Sequence, residues 1–244
     1  MRTIRFLFVL SVITLTSGVP ALPQDAIDIL KKMDEVLYAP KDMTAKTKII
    51  IVDKNGNEKV REAEMMQKGS EMRLFRFTAP ASQAGIATLS LPNDVMYLYL
   101  PSFAKERRIS SSVKNQKFAG TDFSYDDMEA KPYAEKYTGK LLGTEGDVYI
   151  LELKPTNPKS QYSKLVSKVN KENYYPVSGD YYDKGNNKIK ESSYVFEKIG
   201  KYWNPKEVTM IDLKKKHKTT MITYDVKYDT GLTDDDFTVR KLKQ

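Results

Sequence analysis

His217 is the one histidine in a chain of 244 residues. It sits in the run Lys214-Lys215-Lys216-His217-Lys218, whose density of charge reads as a solvated hairpin tip, with contact to an anionic membrane surface as the alternative. A Ser-His-acid triad needs the imidazole between a hydroxyl and a carboxylate, and a zinc site needs several His, Cys or acidic ligands together. A lysine turn serves neither, and Ser90 and Ser102 have no other histidine to activate them. There is no Cys, which removes thiol nucleophiles, thiolate metal ligands and disulfides at once. Asp126-Asp127 and Asp234-Asp235-Asp236 lie where short helices begin, and neither pattern has the spacing of a calcium loop. The glycines are scattered and form no phosphate cradle. The residue types therefore point away from catalysis, metals and cofactors.

The remaining chemistry is the binding of apolar matter. The chain holds 16 Tyr and 10 Met; Tyr tolerates a half-wet surface, and Met adapts to chains of variable shape. The stretch Val95-Met96-Tyr97-Leu98-Tyr99-Leu100 is apolar on both faces of a strand, with Val95, Tyr97 and Tyr99 on one side and Met96, Leu98 and Leu100 on the other. Phe75 and Phe77 back onto Leu74 in the same way. Such surface either packs a closed barrel or lines a cavity, and composition alone does not choose. If a cavity exists, Phe75, Phe77, Tyr97 and Tyr99, with Leu30 and Met33 from a helix, are its expected wall. The tyrosines are preferred over Met96 and Leu98 because a phenol keeps its hydroxyl at a wet mouth, although alternation does not itself say which face turns inward. Arg107 and Arg108 are either a headgroup or partner contact at the mouth, or solvated ends of a hairpin partnered by Glu106.

These residues need elements to hold them. Residues 25–38 predict one long helix, capped by Asp25, striped with Ala26, Ile29, Leu30, Met33 and Leu37, and stopped by Pro40. From there the period is two. Strands are expected over 44–52, then to about 67, and over 71–77, 95–100, 105–109, 140–142, 148–154, 164–170, 177–182, 189–199, 206–213 and 219–228. Asn55-Gly56 predicts a type I′ hairpin turn. Residues 79–90, rich in Ala and Ser with Gly85, predict a mobile gate. The pattern is an antiparallel meander with no linker.

At the N-terminus, Arg2 and Arg5, the apolar run to Leu15 and Val19-Pro20-Ala21 read as an export signal over residues 1–21, leaving 22–244 as one domain. Without a Cys there is no lipobox, so the mature protein is expected in the periplasm without a lipid anchor of its own. The net charge of +8 suits anionic headgroups. Nucleic acid would suit that charge equally, but export argues against it.

Several stretches stand in the order found in one family: "AIDILKKMDEVL", "MRLFRFTAP", "YLYLPSFAKERRIS" followed by "FAGTDFSYDDM", and "MITYDVKYDTGLTDDDFT". The chain resembles the outer-membrane lipoprotein-sorting proteins, relatives of the periplasmic carrier LolA and its outer-membrane partner LolB. That resemblance implies a strongly curved, incomplete antiparallel barrel of about 11–12 strands with covering helices. It implies a cavity for lipid or lipoprotein acyl chains, transient membrane contact and an inner-membrane transporter of the efflux superfamily as partner. The alternative is an envelope protein-binding or sensory module with the same fold and no lipid cargo.

Overall fold

The computed structural model describes residues 25–244, so the export signal lies outside the described residues. In chain order the elements are α1 (Ala26–Leu37), β1 (Asp42–Val52), β2 (Glu58–Lys68), β3 (Met72–Ala79), β4 (Ala87–Leu91), β5 (Val95–Leu100), β6 (Lys105–Arg108), α2 (Tyr125–Met128), α3 (Tyr133–Lys136), β7 (Tyr137–Glu145), β8 (Val148–Pro155), β9 (Tyr162–Asn170), β10 (Pro176–Asp183), β11 (Lys188–Ile199), β12 (Tyr202–Asp212), β13 (His217–Tyr228) and α4 (Val239–Leu242). All thirteen strands form one sheet in the order β6-β5-β4-β3-β2-β1-β13-β12-β11-β10-β9-β8-β7.

This topology explains where the covering segment must go. The chain runs from β1 outward to one edge at β6, then reappears at the opposite edge as β7 and works back until β13 pairs with β1. Segment 109–136 joins the two unpaired edges, and in a curved sheet the short route between them crosses the concavity. The barrel is therefore incomplete, and its own crossover forms a plug over the mouth.

The strand that the sequence pattern leaves out of the meander is β4. Residues 79–90 contain a strand whose Ala87, Thr88, Leu89 and Ser90 are all buried between β3 and β5. The gate is thus corrected to a core strand preceded by a turn. Short side chains lower strand propensity, but here they fit a position that is covered on both faces. Two local expectations are also corrected. Gly56 has φ +83° while Asn55 keeps a negative φ, so the β1–β2 turn is not type I′. Instead Gly56 N–H donates to Asp53 O at 3.0 Å and the Asp53 carboxylate accepts from the amides of Asn55 and Asn57. Asp25 stands at the start of α1 without a side-chain cap; its carbonyl takes the amides of Asp28 and Ile29.

Helix α1 buries Ala26, Ile29, Leu30 and Met33 completely. Its close approach to β7 depends on Gly139, where a Cβ would stand 2.6 Å from Leu153 Cδ2 and 3.6 Å from the Ala26 methyl. The main core lies on the concave side, between α1, the plug and the sheet. A smaller cluster of Leu74, Ala87, Leu89, Phe237 and Leu242 lies on the opposite face under α4. The chain end is fastened there by Asp42, whose carboxylate accepts from Thr230, Gly231 and Leu232.

Candidate ligand cavity beneath the plug

The plug is fastened by buried charge and by aromatic packing. Phe118 sits 5.5 Å from Phe75 and 5.6 Å from both Phe77 and Tyr125, ring centre to ring centre. Lys114 Nζ lies 2.5 Å from Glu129 Oε1, both side chains 6% exposed. Ser124 and Asp127 form a reciprocal capping box at α2, so two amides at the start of this one-turn helix are satisfied locally. Asp122, with no exposed side-chain surface, gathers Lys117 at 2.8 Å, Thr219 Oγ1 at 2.8 Å and His217 Nδ1 at 2.6 Å. Burial works against its charge, but these donors outweigh it and hold the carboxyl below the usual range. Lys190 reaches across to the Asp122 carbonyl at 2.7 Å and to Tyr162 Oη at 2.9 Å.

His217 therefore does not sit in the lysine turn, as its neighbours in sequence imply. It opens β13 and pairs with a buried aspartate. The arrangement is not a triad, because Thr219 donates to the same carboxylate oxygen rather than standing on the far ring nitrogen. Among the described residues no group of three His, Cys, Asp or Glu side chains could hold a metal ion.

Between plug and sheet lies a cavity of about 230 Å³. The sheet supplies Thr47, Met65, Phe75, Tyr137, Val208, Met210 and Met221; the covering side supplies Leu37, Tyr38, Phe123, Met128 and Tyr133. Tyr181, Tyr194, Phe196 and Trp203 close one flank, and Gln67 and Arg73 the other. The cover is latched at α1: Asp34 Oδ1 accepts the Tyr133 amide at 2.7 Å and Oδ2 the Ala134 amide at 2.8 Å, capping α3. Burial pushes the Asp34 carboxyl up to about 6, against those two amides and with help from Glu135.

The expected wall residues divide. Phe75 lines the cavity; Phe77 packs beside it under Phe118, and Leu30 and Met33 are buried in the same cluster behind the wall. Tyr97 and Tyr99 do not face it. They pack against the cluster under α4, while Met96 and Leu98 face the main core, so the inward face of β5 is corrected to the Met96 side. The reason is that α4 and Phe237 supply a second cover on the outer face, which lets that face be aromatic without being wet. Arg107 and Arg108 are exposed on the edge strand β6 and do not border the cavity. Arg107 lies 5.9 Å from the centre of the Phe103 ring, and Glu106 pairs with Lys243 instead.

Sequence reasoning missed Arg73, Asp34 and the aromatic flank. Arg73 carried a usable signal, since period two puts it on the same face as Phe75 and Phe77. Trp203, the one tryptophan, was another. Nothing local marks Asp34, whose partners are 99 and 100 residues away.

A family model described as "Uncharacterized protein" matches residues 69–244. Three solved structures share the fold over nearly their whole length. An outer membrane lipoprotein-sorting protein domain from Vibrio parahaemolyticus is 27% identical, with 88% of this chain and 98% of that one covered and a TM-score of 0.80. A DUF1329 family protein from Desulfovibrio piger is 28% identical, covering 88% and 97%, at 0.81. A LolA superfamily protein from Nitrosomonas europaea is 25% identical, covering 90% and 100%, at 0.77. The chain belongs to the family of that model and shares the fold of the LolA superfamily. No curated protein matches it. In this chain the open barrel has thirteen strands rather than the 11–12 expected, the addition being β4.

Proposed function

We propose that this protein is a periplasmic carrier that takes lipid or lipoprotein acyl chains into the cavity beneath the plug and passes them towards the outer membrane. The observation that carries the reading is the cavity itself: an apolar space in the concavity of an open sheet, covered by a segment that crosses from edge to edge. Burial of a chain in such a space is worth roughly 0.8 kcal/mol per CH₂, enough to hold cargo without chemistry. On this reading the carrier acts by exchange rather than as an enzyme. Without a nucleotide site in the sequence, directional release draws on a partner, for which an inner-membrane transporter of the efflux superfamily is the proposal. The signal over residues 1–21 would deliver the chain, and the net charge of +8 favours transient approach to anionic membranes.

Native mass spectrometry of protein purified from its own periplasm tests this. Co-purified lipid or acylated peptide that is released on unfolding is the expected result. Protein that is always empty, and that takes up no lipid from vesicles, favours the second reading, an envelope protein-binding module built on the same sheet.

A further inference from the structure

The cations that line the cavity are paired with carboxylates, with one exception. Lys131 pairs with Asp94 at 2.6 Å, Lys136 with Asp126 at 3.2 Å and Glu129 with Lys114 at 2.5 Å. Asp127 is held by Ser124 and Lys190, and Asp42 by Thr230 and its neighbours. Arg73 has no carboxylate within ion-pair distance among the described residues. Its Nε and Nη2 donate to Gln67 Oε1 at 2.9 and 2.7 Å, and its Nη1 to the Met128 carbonyl at 3.2 Å. Both acceptors are neutral. A guanidinium stays charged and carries five N–H bonds, so one on each terminal nitrogen is left for another acceptor.

A half-buried cation without a counter-ion has lost part of its hydration, and the low-dielectric surroundings strengthen its attraction to an anion that arrives. A guanidinium edge also fits two oxygens of one group better than a single atom. On the other flank stand Phe196, Trp203 and Val208, with β2, β1 and β13 lying between β3 and β12. Four strand spacings of about 4.8 Å amount to roughly 19 Å along the sheet, the reach of an extended acyl chain.

We infer that the cavity selects an amphiphile with one anionic group, a carboxylate or a phosphate, which Arg73 receives while the chain lies along the sheet towards Trp203. This rests on the carrier reading and adds the class of cargo. Isothermal titration of the delipidated protein with palmitate, with methyl palmitate and with palmitoyl-lysophosphatidate tests it. At least one anion should bind about tenfold or more tightly than the ester, and Arg73→Gln should abolish that preference while leaving ester affinity in place. Preference for palmitate alone assigns a carboxylate, and for the lysophosphatidate alone a phosphate. Equal affinity for all three, or a preference undiminished in Arg73→Gln, overturns the inference while the carrier reading stands. No binding of any of them overturns the carrier reading and the inference with it. Should Arg73→Gln not fold, Arg73→Lys takes its place: it keeps the charge but not the two-pronged edge, so a reduced preference supports the assignment and a full one overturns it.

Discussion

Asp34 shows how one carboxyl can join two elements and carry a cost in doing so. Its two oxygens cap α3, which favours the ionised form, yet burial outweighs them and the carboxyl rises to about 6 from the ordinary 3.8. The folded protein thus holds this proton more tightly than the unfolded chain does. The resulting stabilisation is complete below pH about 4 and is lost as pH rises through 6. Asp34→Asn has no proton to hold. The melting temperature of wild type minus that of Asp34→Asn should therefore be most positive near pH 4 and fall steadily to pH 7. A difference that is flat from pH 4.5 to 7 would mean that the carboxyl titrates at its ordinary value. This residue was illegible in the sequence because its environment is made by a segment about a hundred residues away, whereas the stripe that places it on α1 was plain.

At the scale of elements, the period of the apolar residues was the readable quantity. Leu30 and Met33 repeat at helical spacing and are completely buried, and twelve strands were visible, either because their residues alternate or, as in β5, as a short apolar run. What escaped was β4, whose Ala87, Thr88 and Ser90 are small and polar enough to resemble a loop. Register against β3 and β5, not its own composition, makes it a strand. The inward face of β5 escaped for a related reason: both of its faces are apolar, and the choice is set by α4, which arrives from the far end of the chain. Two measurements check these placements together. Leu30→Ala should cost about 2–5 kcal/mol in chemical denaturation, as truncations in a fully packed core do. In hydrogen exchange the amides of Ala87–Leu91 should be protected as strongly as those of β13. A Leu30 variant that melts like wild type would displace α1 from the concavity, and fast exchange in β4 would restore the gate that the sequence pattern implied.

For the molecule as a whole, closure is the property that topology imposes. A chain that builds one half of a sheet outward to an edge and resumes at the other edge must lay its crossover over the concavity, and the plug is that crossover. The space of about 230 Å³ beneath it is below the ~300–1,000 Å³ usual for pockets that hold drug-sized ligands. On the carrier reading a lipid chain needs more room than this, and the opening of the cover becomes the step that limits loading. The Lys114–Glu129 pair, with both side chains 6% exposed, ties the two ends of that cover to each other. Glu129→Gln leaves a buried ammonium with a weaker partner, which lowers the stability of the closed plug more than that of the sheet beneath it. Each 1.4 kcal/mol lost there raises the open population about tenfold. Stopped-flow uptake of a fluorescent fatty acid should accordingly be about ten times faster or more in Glu129→Gln, with a modest drop in melting temperature. An uptake rate equal to that of wild type, in a variant whose plug amides exchange faster, would show that cargo enters elsewhere and that the crossover is a fixed wall of the barrel.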